Sequence, residues 1–562
     1  MIHKLKRVLT SIDLFSRLIL QLPLRAYQVT PADAVIEACL HGSGLEFLWV
    51  FPRQSGKDEA IAQLCVFLLT LFQRVEVSIV HVYPTAQQAE TGIARLERRL
   101  ANRLTGRAGW ARSQPTRRGL GKAQVAFFSG HPQARAEGAT ANLLLIVNEV
   151  QDQLEPIVER RFTPMRASTN ASALYVGTVR TTADYLWRVK TRLEALQTSD
   201  GVQRVFMVTP DQIGAENPHY AAFVAGQVRL KGRHHPSVKT ELFNEPLDAA
   251  QGLFPERRRA LMQGSHPRLV APIAGEVYVA AIDVGGQDEA ATEPGGDPAA
   301  GPRPGRDALD NPARDYTVCS IARVAGAGPP GPTGAGESFA GALGPRYEVV
   351  DVFVDHGSRH FRDAPGRPAL FSRLLAYLAH WRVAACVCDS SGVGQGLADA
   401  LSRVSQRPVL AYDFAGTGKK ARLGNDFLAL IETGRFKYWS QEYEVPRTGY
   451  EAGSKHQPSP PLPTPQSSPP SIDAWWFFEQ CRFCSYQLAD GQSIERGLRW
   501  GVPATARTTT PDGATVPVHD DRLLSAALLA ELERARRSGE VFLSAGHSTV
   551  ITTPRAQKED WT

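Results

Sequence analysis

Residues 52–59 read PRQSGKDE, with the apolar run LEFLWVF (45–51) before them and the apolar-periodic DEAIAQLCVFLLTLF (58–72) overlapping and following them. Strand, loop and helix in that order let backbone N–H groups and the positive end of a helix face phosphates while the lysine reaches the terminal ones. Arg53, Gln54, Ser55, Gly56 and Lys57 are therefore nucleotide-binding candidates. The strict phosphate-loop pattern asks for Gly five residues before Gly56 and for Ser or Thr after Lys57, where this chain has Phe51 and Asp58. On its own the loop suits an ordinary surface turn equally well.

LLLIVNEVQD (143–152) ends a buried-strand pattern on Asn148 and Glu149. A glutamate at a strand end beside a phosphate loop can polarise an attacking water. Nucleotide hydrolases of this kind pair a hydroxyl after the lysine with an aspartate on the second strand, and here Asp58 and Asn148 read as that pair exchanged. The exchange predicts that Asp58 brings the negative charge to Mg²⁺ and that Asn148 offers a neutral oxygen. Two weaker pieces stand in the same block. Gln28 in LRAYQ (24–28) has an amide suited to an adenine edge, and Gly177 and Thr178 in YVGTVRTTADYLW (175–187) follow a strand where a hydroxyl can sense the terminal phosphate.

A second set of residues is acidic. Asp283 closes VYVAAID (277–283), Asp389 closes VAACVCD (383–389), and Asp520 and Asp521 open the helix of VPVHDDRLLSAALLAELERA (516–535). Carboxylates at element ends can converge on one sheet edge and hold two divalent cations that activate a water against a phosphodiester. Singly, each also suits a structural role: a turn cap at Asp283, the Gly-rich bend after Asp389, a helix N-cap at Asp520. TGKKARLG (417–424), with Arg422, and RARRSG (534–539) suit a nucleic-acid backbone or a solvated basic face.

These residues need scaffolds. Short apolar runs at 45–51, 77–83, 143–147 and 173–177, then at 277–283, 347–354 and 383–389, alternate with helical patterns and predict two α/β blocks joined near 245–272. The Gly-, Pro- and Ser-rich stretches at 285–314, 325–336 and 455–471 have no apolar face to bury and read as flexible loop insertions. A formal charge of +6 over 562 residues suits a phosphate-rich partner without demanding one. Seven scattered cysteines suggest a reducing compartment; Cys386/Cys388 and Cys481/Cys484 lack the partners of a zinc site. No apolar run approaches a membrane span, and the N-terminal twenty residues, interrupted by Asp13 and Arg17, read as an amphipathic helix.

In order, LRAYQ, PRQSGKDE, LLLIVNEVQD, YVGTV, AIDVGG, CDSSGVGQGLADAL and HDDRLLSAALLA resemble the large subunit of the terminase of tailed bacteriophages, over roughly residues 20–535. The resemblance implies an α/β chain with a P-loop (ASCE-type) ATPase domain at 1–245, a linker at 246–272, a ribonuclease H-like nuclease domain at 273–535 and a C-terminal tail at 536–562. It implies that ATP is the substrate, with Mg²⁺ as cofactor and Mn²⁺ as an alternative at the nuclease site. Implied partners are double-stranded DNA, a terminase small subunit and the portal protein, with a ring formed during packaging. The setting would be the host bacterial cytoplasm, for a phage or prophage protein, with transient docking on the procapsid. By the same resemblance Arg53 and Lys57 act toward the phosphates, Glu149 is catalytic, Gly177 and Thr178 couple, and Asp283, Asp389 and Asp521 bind metal, with Asp520 an adjacent candidate. Asp58 and Asn148 depart from the pattern. Two other readings stay open: a helicase-like DNA-directed ATPase, and an inactive prophage remnant or structural subunit that binds without hydrolysis.

Overall fold

The computed structural model describes residues 8–102, 104–108, 110–134, 139–248, 252–285, 316–326, 344–363, 366–415, 418–439, 470–489, 493–510, 513–541 and 543. Most of the three predicted insertions and of the tail lies outside the described residues. Two compact units emerge: Met1–Val228 with Pro236–Ala249 and Asp490–Gln492, and Arg229–His235 with Ala250–Ala489 and Ser493–Thr562.

In the first unit the chain runs α1 (Ala26–His41), β1 (Glu46–Val50), α2 (Lys57–Leu71), β2 (Ser78–Tyr83), α3 (Ala86–Leu100), β3 (Ala111–Gln114), β4 (Arg117–Leu120), β5 (Ala123–Ser129), β6 (Leu144–Asn148), β7 (Ser172–Gly177), α4 (Tyr185–Asp200) and β8 (Val205–Met207). The sheet order is β3-β4-β5-β2-β6-β7-β1-β8, parallel from β5 to β8 and antiparallel at the β3 and β4 edge. A parallel sheet covered on both faces needs apolar residues at every strand position. Phe47 and Trp49 accordingly pack with α1 and α2 on one face, while Leu48 and Val50 pack with α4 on the other. Because β7 stands between β1 and β6, the loop after β1 and the turn after β6 open at the same carboxyl edge, on either side of the turn after β7. That is the strand arrangement of an ASCE-type ATPase domain, and it is where ligands of open α/β sheets bind.

The second unit contains β9 (Tyr278–Asp283), β10 (Thr317–Ala325), β11 (Arg346–Asp355), α5 (Leu370–His380), β12 (Ala385–Asp389), α6 (Gly394–Val404), β13 (Val409–Tyr412), α7 (Lys419–Glu432), β14 (Phe436–Tyr438), α8 (Pro470–Phe483) and α9 (Asp521–Arg537). Its sheet order is β13-β12-β9-β10-β11-β14. An antiparallel meander β9-β10-β11 carries β12 and β13 in parallel on the β9 side, the order of a ribonuclease H-like sheet. All seven cysteines are buried free thiols.

Helix α9 lies across this sheet and is pinned at two points. Ser525 Oγ donates to Ala281 O (2.8 Å) and accepts the Ser320 N–H (3.1 Å). Toward the other end Glu533 accepts from Tyr347 Oη (3.0 Å), Arg435 Nη1 (2.6 Å), Arg536 Nε (2.8 Å) and Arg537 Nε (2.7 Å). Burial alone would raise the Glu533 pKa, but Arg536 and Arg435 bring it down to about 2. A depressed carboxylate pKa contributes stability that is present above the unfolded value of about 4.3 and is lost as pH falls through the folded one. Glu533→Gln is therefore expected to cost about 3–5 kcal/mol near neutral pH, with the gap to wild type closing as pH falls from about 4 toward 2. Urea unfolding at a series of pH values checks this, and an undiminished gap at the acid end would contradict the electrostatic account.

Candidate functional site

The loop after β1 turns through two left-handed residues, Gln54 (φ 60°) and Gly56 (φ 84°), before Lys57 starts α2. Glycine is required at 56 on two grounds, since its φ is positive and a Cβ would lie 2.8 Å from Gln28 Nε2. Gln28, buried in the first turn of α1, donates to Ser55 O (3.1 Å) and Gly56 O (3.2 Å) and accepts the Arg25 N–H at Oε1 (3.0 Å). Tyr27 Oη adds a bond to Ser55 O (2.7 Å). Both ends of the Gln28 amide, the group expected at an adenine edge, brace the loop in this structure. Arg53, an exposed side chain, donates from Nη1 to Glu241 Oε2 (2.9 Å) and from its backbone N–H to Glu241 O (2.8 Å), at the end of the helix Pro236–Glu241. Gln54 is exposed, while Ser55 is buried with its hydroxyl lacking a protein partner.

Lys57 and Glu149 meet. Lys57 Nζ lies 2.6 Å from Glu149 Oε1 and donates to Thr178 Oγ1 at 3.5 Å, in a crevice where the Lys57 and Glu149 side chains are 11% and 20% exposed. Thr178 Oγ1 in turn donates to Phe51 O (3.1 Å), the residue that leads from β1 into the loop. Glu149 adopts φ 48°, ψ 55°, a left-handed conformation that a non-glycine residue holds only where its surroundings enforce it. Here the 3₁₀ turn Val150–Asp152 follows at once, and Gln151 Nε2 donates to Glu149 Oε2 (2.6 Å). One carboxylate oxygen thus faces the lysine and the other an amide.

Asp58 and Asn148, ninety residues apart, are also in contact: Asn148 Nδ2 donates to Asp58 Oδ1 (3.1 Å). Asn148 Oδ1 accepts the Glu149 N–H (3.1 Å), and Arg95 Nη1 on α3 lies 3.4 Å from Asp58 Oδ2. Asp58 is the side chain here with the hard, charged oxygen that a divalent cation takes. In this geometry Asn148 serves Asp58 as a hydrogen-bond donor through Nδ2, while its Oδ1 accepts the one N–H of Glu149. Gln151, Arg95 and Tyr83, which hydrogen-bonds Asn148, went unnoticed in the sequence. Only Arg95 left a signal, since Arg95 and Arg99 lie one turn apart on α3 opposite the consecutive acids Asp58 and Glu59.

In the second unit, register pairs Cys388 with Ile282, which sets Asp389 beside Asp283 at the ends of neighbouring parallel strands. Both are 7% exposed. Asp389 accepts from the Ser391 N–H (2.8 Å) and from the backbone of Val284, and burial together with the nearby Asp413 raises its pKa. Asp521, at the start of α9, comes within electrostatic reach of Tyr316, the residue before β10. Asp520 lies 3.7 Å from Lys420 Nζ. Among the described residues no group of three His, Cys, Asp or Glu side chains is drawn tightly enough to hold a metal ion. Register brings Asp283 and Asp389 to adjacent strand ends, while Asp520 and Asp521 stand at the start of α9. Of the basic run, Lys419 pairs with Asp413 and Lys420 with Asp520, next to this edge, whereas Arg422 faces Glu531 (3.8 Å).

Comparison with known proteins gives no matching family model and no matching curated protein. Solved structures do match. The chain is similar to large terminases of several bacteriophages. The large terminase of a thermophilic bacteriophage, in complex with ADP, aligns over 90% of this chain and 99% of that one, with 11% identity and a TM-score of 0.37. The HK97 bacteriophage large terminase aligns over 77% and 89%, with 13% identity and a TM-score of 0.35. The large terminase nuclease of thermophilic phage G20c with bound magnesium aligns over 50% of this chain and 98% of that one, with 14% identity and a TM-score of 0.27. At such identities and TM-scores the likeness assigns no residue, and the roles below rest on the geometry.

Asn148→Asp sets two carboxylates against each other and is expected to destabilise the fold, while adding Asp58→Ser relieves the repulsion. A double-mutant cycle on urea unfolding is expected to give a coupling of about 1 kcal/mol or more; additivity would mean that the two side chains do not sense each other.

Proposed function

We propose that the chain is an ATP-driven motor acting on double-stranded DNA whose second unit cuts DNA, as in the packaging of a tailed-phage genome. The observation that carries the reading is the meeting of Lys57, Glu149 and Thr178 at the carboxyl edge of the first sheet. A lysine after a glycine turn binds terminal phosphates, and a strand-end carboxylate within reach polarises the water that attacks them. Phosphates that draw the ammonium of Lys57 would release Glu149 Oε1 to accept a proton from that water. Thr178, hydrogen-bonded to Phe51 O, lies where it senses which partner Lys57 holds. Asp58 would hold Mg²⁺, which supplies neutralisation of phosphate charge when bound.

In the second unit Asp283 and Asp389 would hold a divalent cation, Mg²⁺ or Mn²⁺, whose chemistry is activation of a water for phosphodiester hydrolysis. Lys419 and Lys420 beside that edge suit the phosphates of a DNA strand. A small subunit, a portal docking partner and a ring during packaging belong to the same reading. A helicase-like motor is less well supported, because the second sheet begins with an antiparallel meander. The Asp58/Asn148 exchange favours a non-hydrolytic remnant as the rival.

DNA-stimulated ATP hydrolysis in Mg²⁺ separates the two. Glu149→Ala is expected to lower the rate by about 10²–10⁴-fold, and absence of hydrolysis in the wild-type chain would decide for the remnant. Asp389→Asn is expected to abolish metal-dependent nicking of plasmid DNA while leaving ATP hydrolysis within about twofold, as independent sites should. Loss of both activities together would argue against separate sites.

A further inference from the structure

Glu149 and Thr178 follow different strands, and one side chain joins them. Gln151 Nε2 donates to Glu149 Oε2 at 2.6 Å, and its Oε1 accepts the Thr178 N–H at 3.1 Å. Gly177 is a condition of this bridge, because a Cβ there would lie 2.3 Å from Gln151 Oε1 and 2.4 Å from Leu186 Cδ1. The neighbouring residues repeat the connection: Arg180 Nη2 pairs with Asp152 Oδ1 at 2.7 Å, with both side chains largely buried. Two consecutive residues of the turn after β6 thus hold the turn after β7.

The chemistry of the bridge is selective. A primary amide donates to a carboxylate and accepts from a peptide N–H at once without carrying charge. Glutamate would repel Glu149, and lysine or arginine would have nothing to offer the Thr178 N–H. The bridge also closes a circuit, because Thr178 Oγ1 bonds Phe51 O at the start of the loop whose Lys57 pairs with Glu149 Oε1.

We propose that Gln151 is a positioning residue that fixes the Glu149 carboxylate and carries its displacement to the Gly177–Thr178 turn. This rests on the reading of the first unit as a nucleotide hydrolase. While Lys57 holds one oxygen of Glu149, the carboxylate is tied on both sides. Once phosphates take the lysine, Gln151 becomes the remaining tie, so the carboxylate keeps its aim at the water and any shift in it moves the Thr178 backbone. Without Gln151 nucleotide still binds, but hydrolysis loses its orientation and the 177–178 turn loses its report.

The test uses the full chain, with Gln151→Leu and Gln151→Glu compared with wild type in steady-state ATP hydrolysis with and without DNA, and in binding of a fluorescent ADP analogue. Gln151→Leu is expected to lower kcat by about 10–100-fold, as misplacement of a reacting group does. KM for ATP and analogue affinity should stay within about threefold, as for an interaction made only in the transition state, and stimulation by DNA should vanish. Gln151→Glu keeps the shape of the side chain, so it remains informative if the leucine variant folds poorly. It is expected to move the acid limb of the pH–rate profile upward by about one unit, since adjacent carboxylates oppose each other's ionisation; the fall in kcat at unchanged KM in Gln151→Leu is the readout that a merely structural glutamine would not give. Wild-type hydrolysis with unchanged kcat and DNA stimulation in Gln151→Leu, or an unmoved profile in Gln151→Glu, overturns the proposal and leaves the hydrolase reading intact. A wild-type chain that binds the analogue yet never hydrolyses ATP overturns both.

Discussion

The contact between Lys57 and Glu149 is the constraint around which the first unit is arranged. Unlike charges held in a narrow crevice attract strongly, yet each loses hydration, so the pair persists only if its surroundings fix both partners. The scaffold does so from two sides. Gln28 and Tyr27 brace the carbonyls of Ser55 and Gly56, which sets where α2 begins and hence where Lys57 projects. On the other side Asn148 Oδ1 holds the Glu149 N–H, and Gln153 Nε2 donates to Asn148 O at 3.0 Å, which keeps the strand end in a conformation it would not choose alone.

The same logic, with less charge compensation, governs the second unit. Asp283 and Asp389 are placed by register on adjacent parallel strands, so their proximity is a property of the sheet and needs no side-chain partner to enforce it. Asp389 relies on uncharged donors, the backbone and side chain of Ser391 and the backbone of Val284. Asp521 depends instead on a helix, and the helix is held by Ser525 against Ala281 and by the buried cluster around Glu533.

The parts of this architecture that were legible in the sequence are those with a local signature. The runs at 45–51, 77–83, 143–147 and 173–177 are β1, β2, β6 and β7 because a strand covered on both faces must be apolar throughout. Strands β3 and β4 escaped notice because an edge pair carries polar residues such as Arg117 and Arg118, and β13 and β14 because four and three residues show no period. At the candidate site, Lys57 and Glu149 were legible from type and position. The working partners of Gln28 and Arg53 were not, since Gln28 acts on main-chain atoms 27 and 28 residues away and Arg53 on Glu241, 188 residues on. A glutamine two places after a glutamate has no composition or period to mark it, so Gln151 could be found only from its bonds.

The exchange at Asp58 and Asn148 can be weighed as a displacement of charge. A carboxylate in the first turn of α2 lies at the positive end of that helix, where an anion is favoured by about 0.3–1 kcal/mol. At position 148 the same charge would sit directly before Glu149 with no helix end to favour it. Moving it to 58 therefore removes a like-charge neighbour from Glu149 and adds a favourable one for the carboxylate itself. Arg95 offsets what remains, because its guanidinium approaches the Asp58 oxygen that Asn148 does not bond. The cation proposed for Asp58 would have to compete with Arg95, a competition that a hydroxyl in its place would not pose.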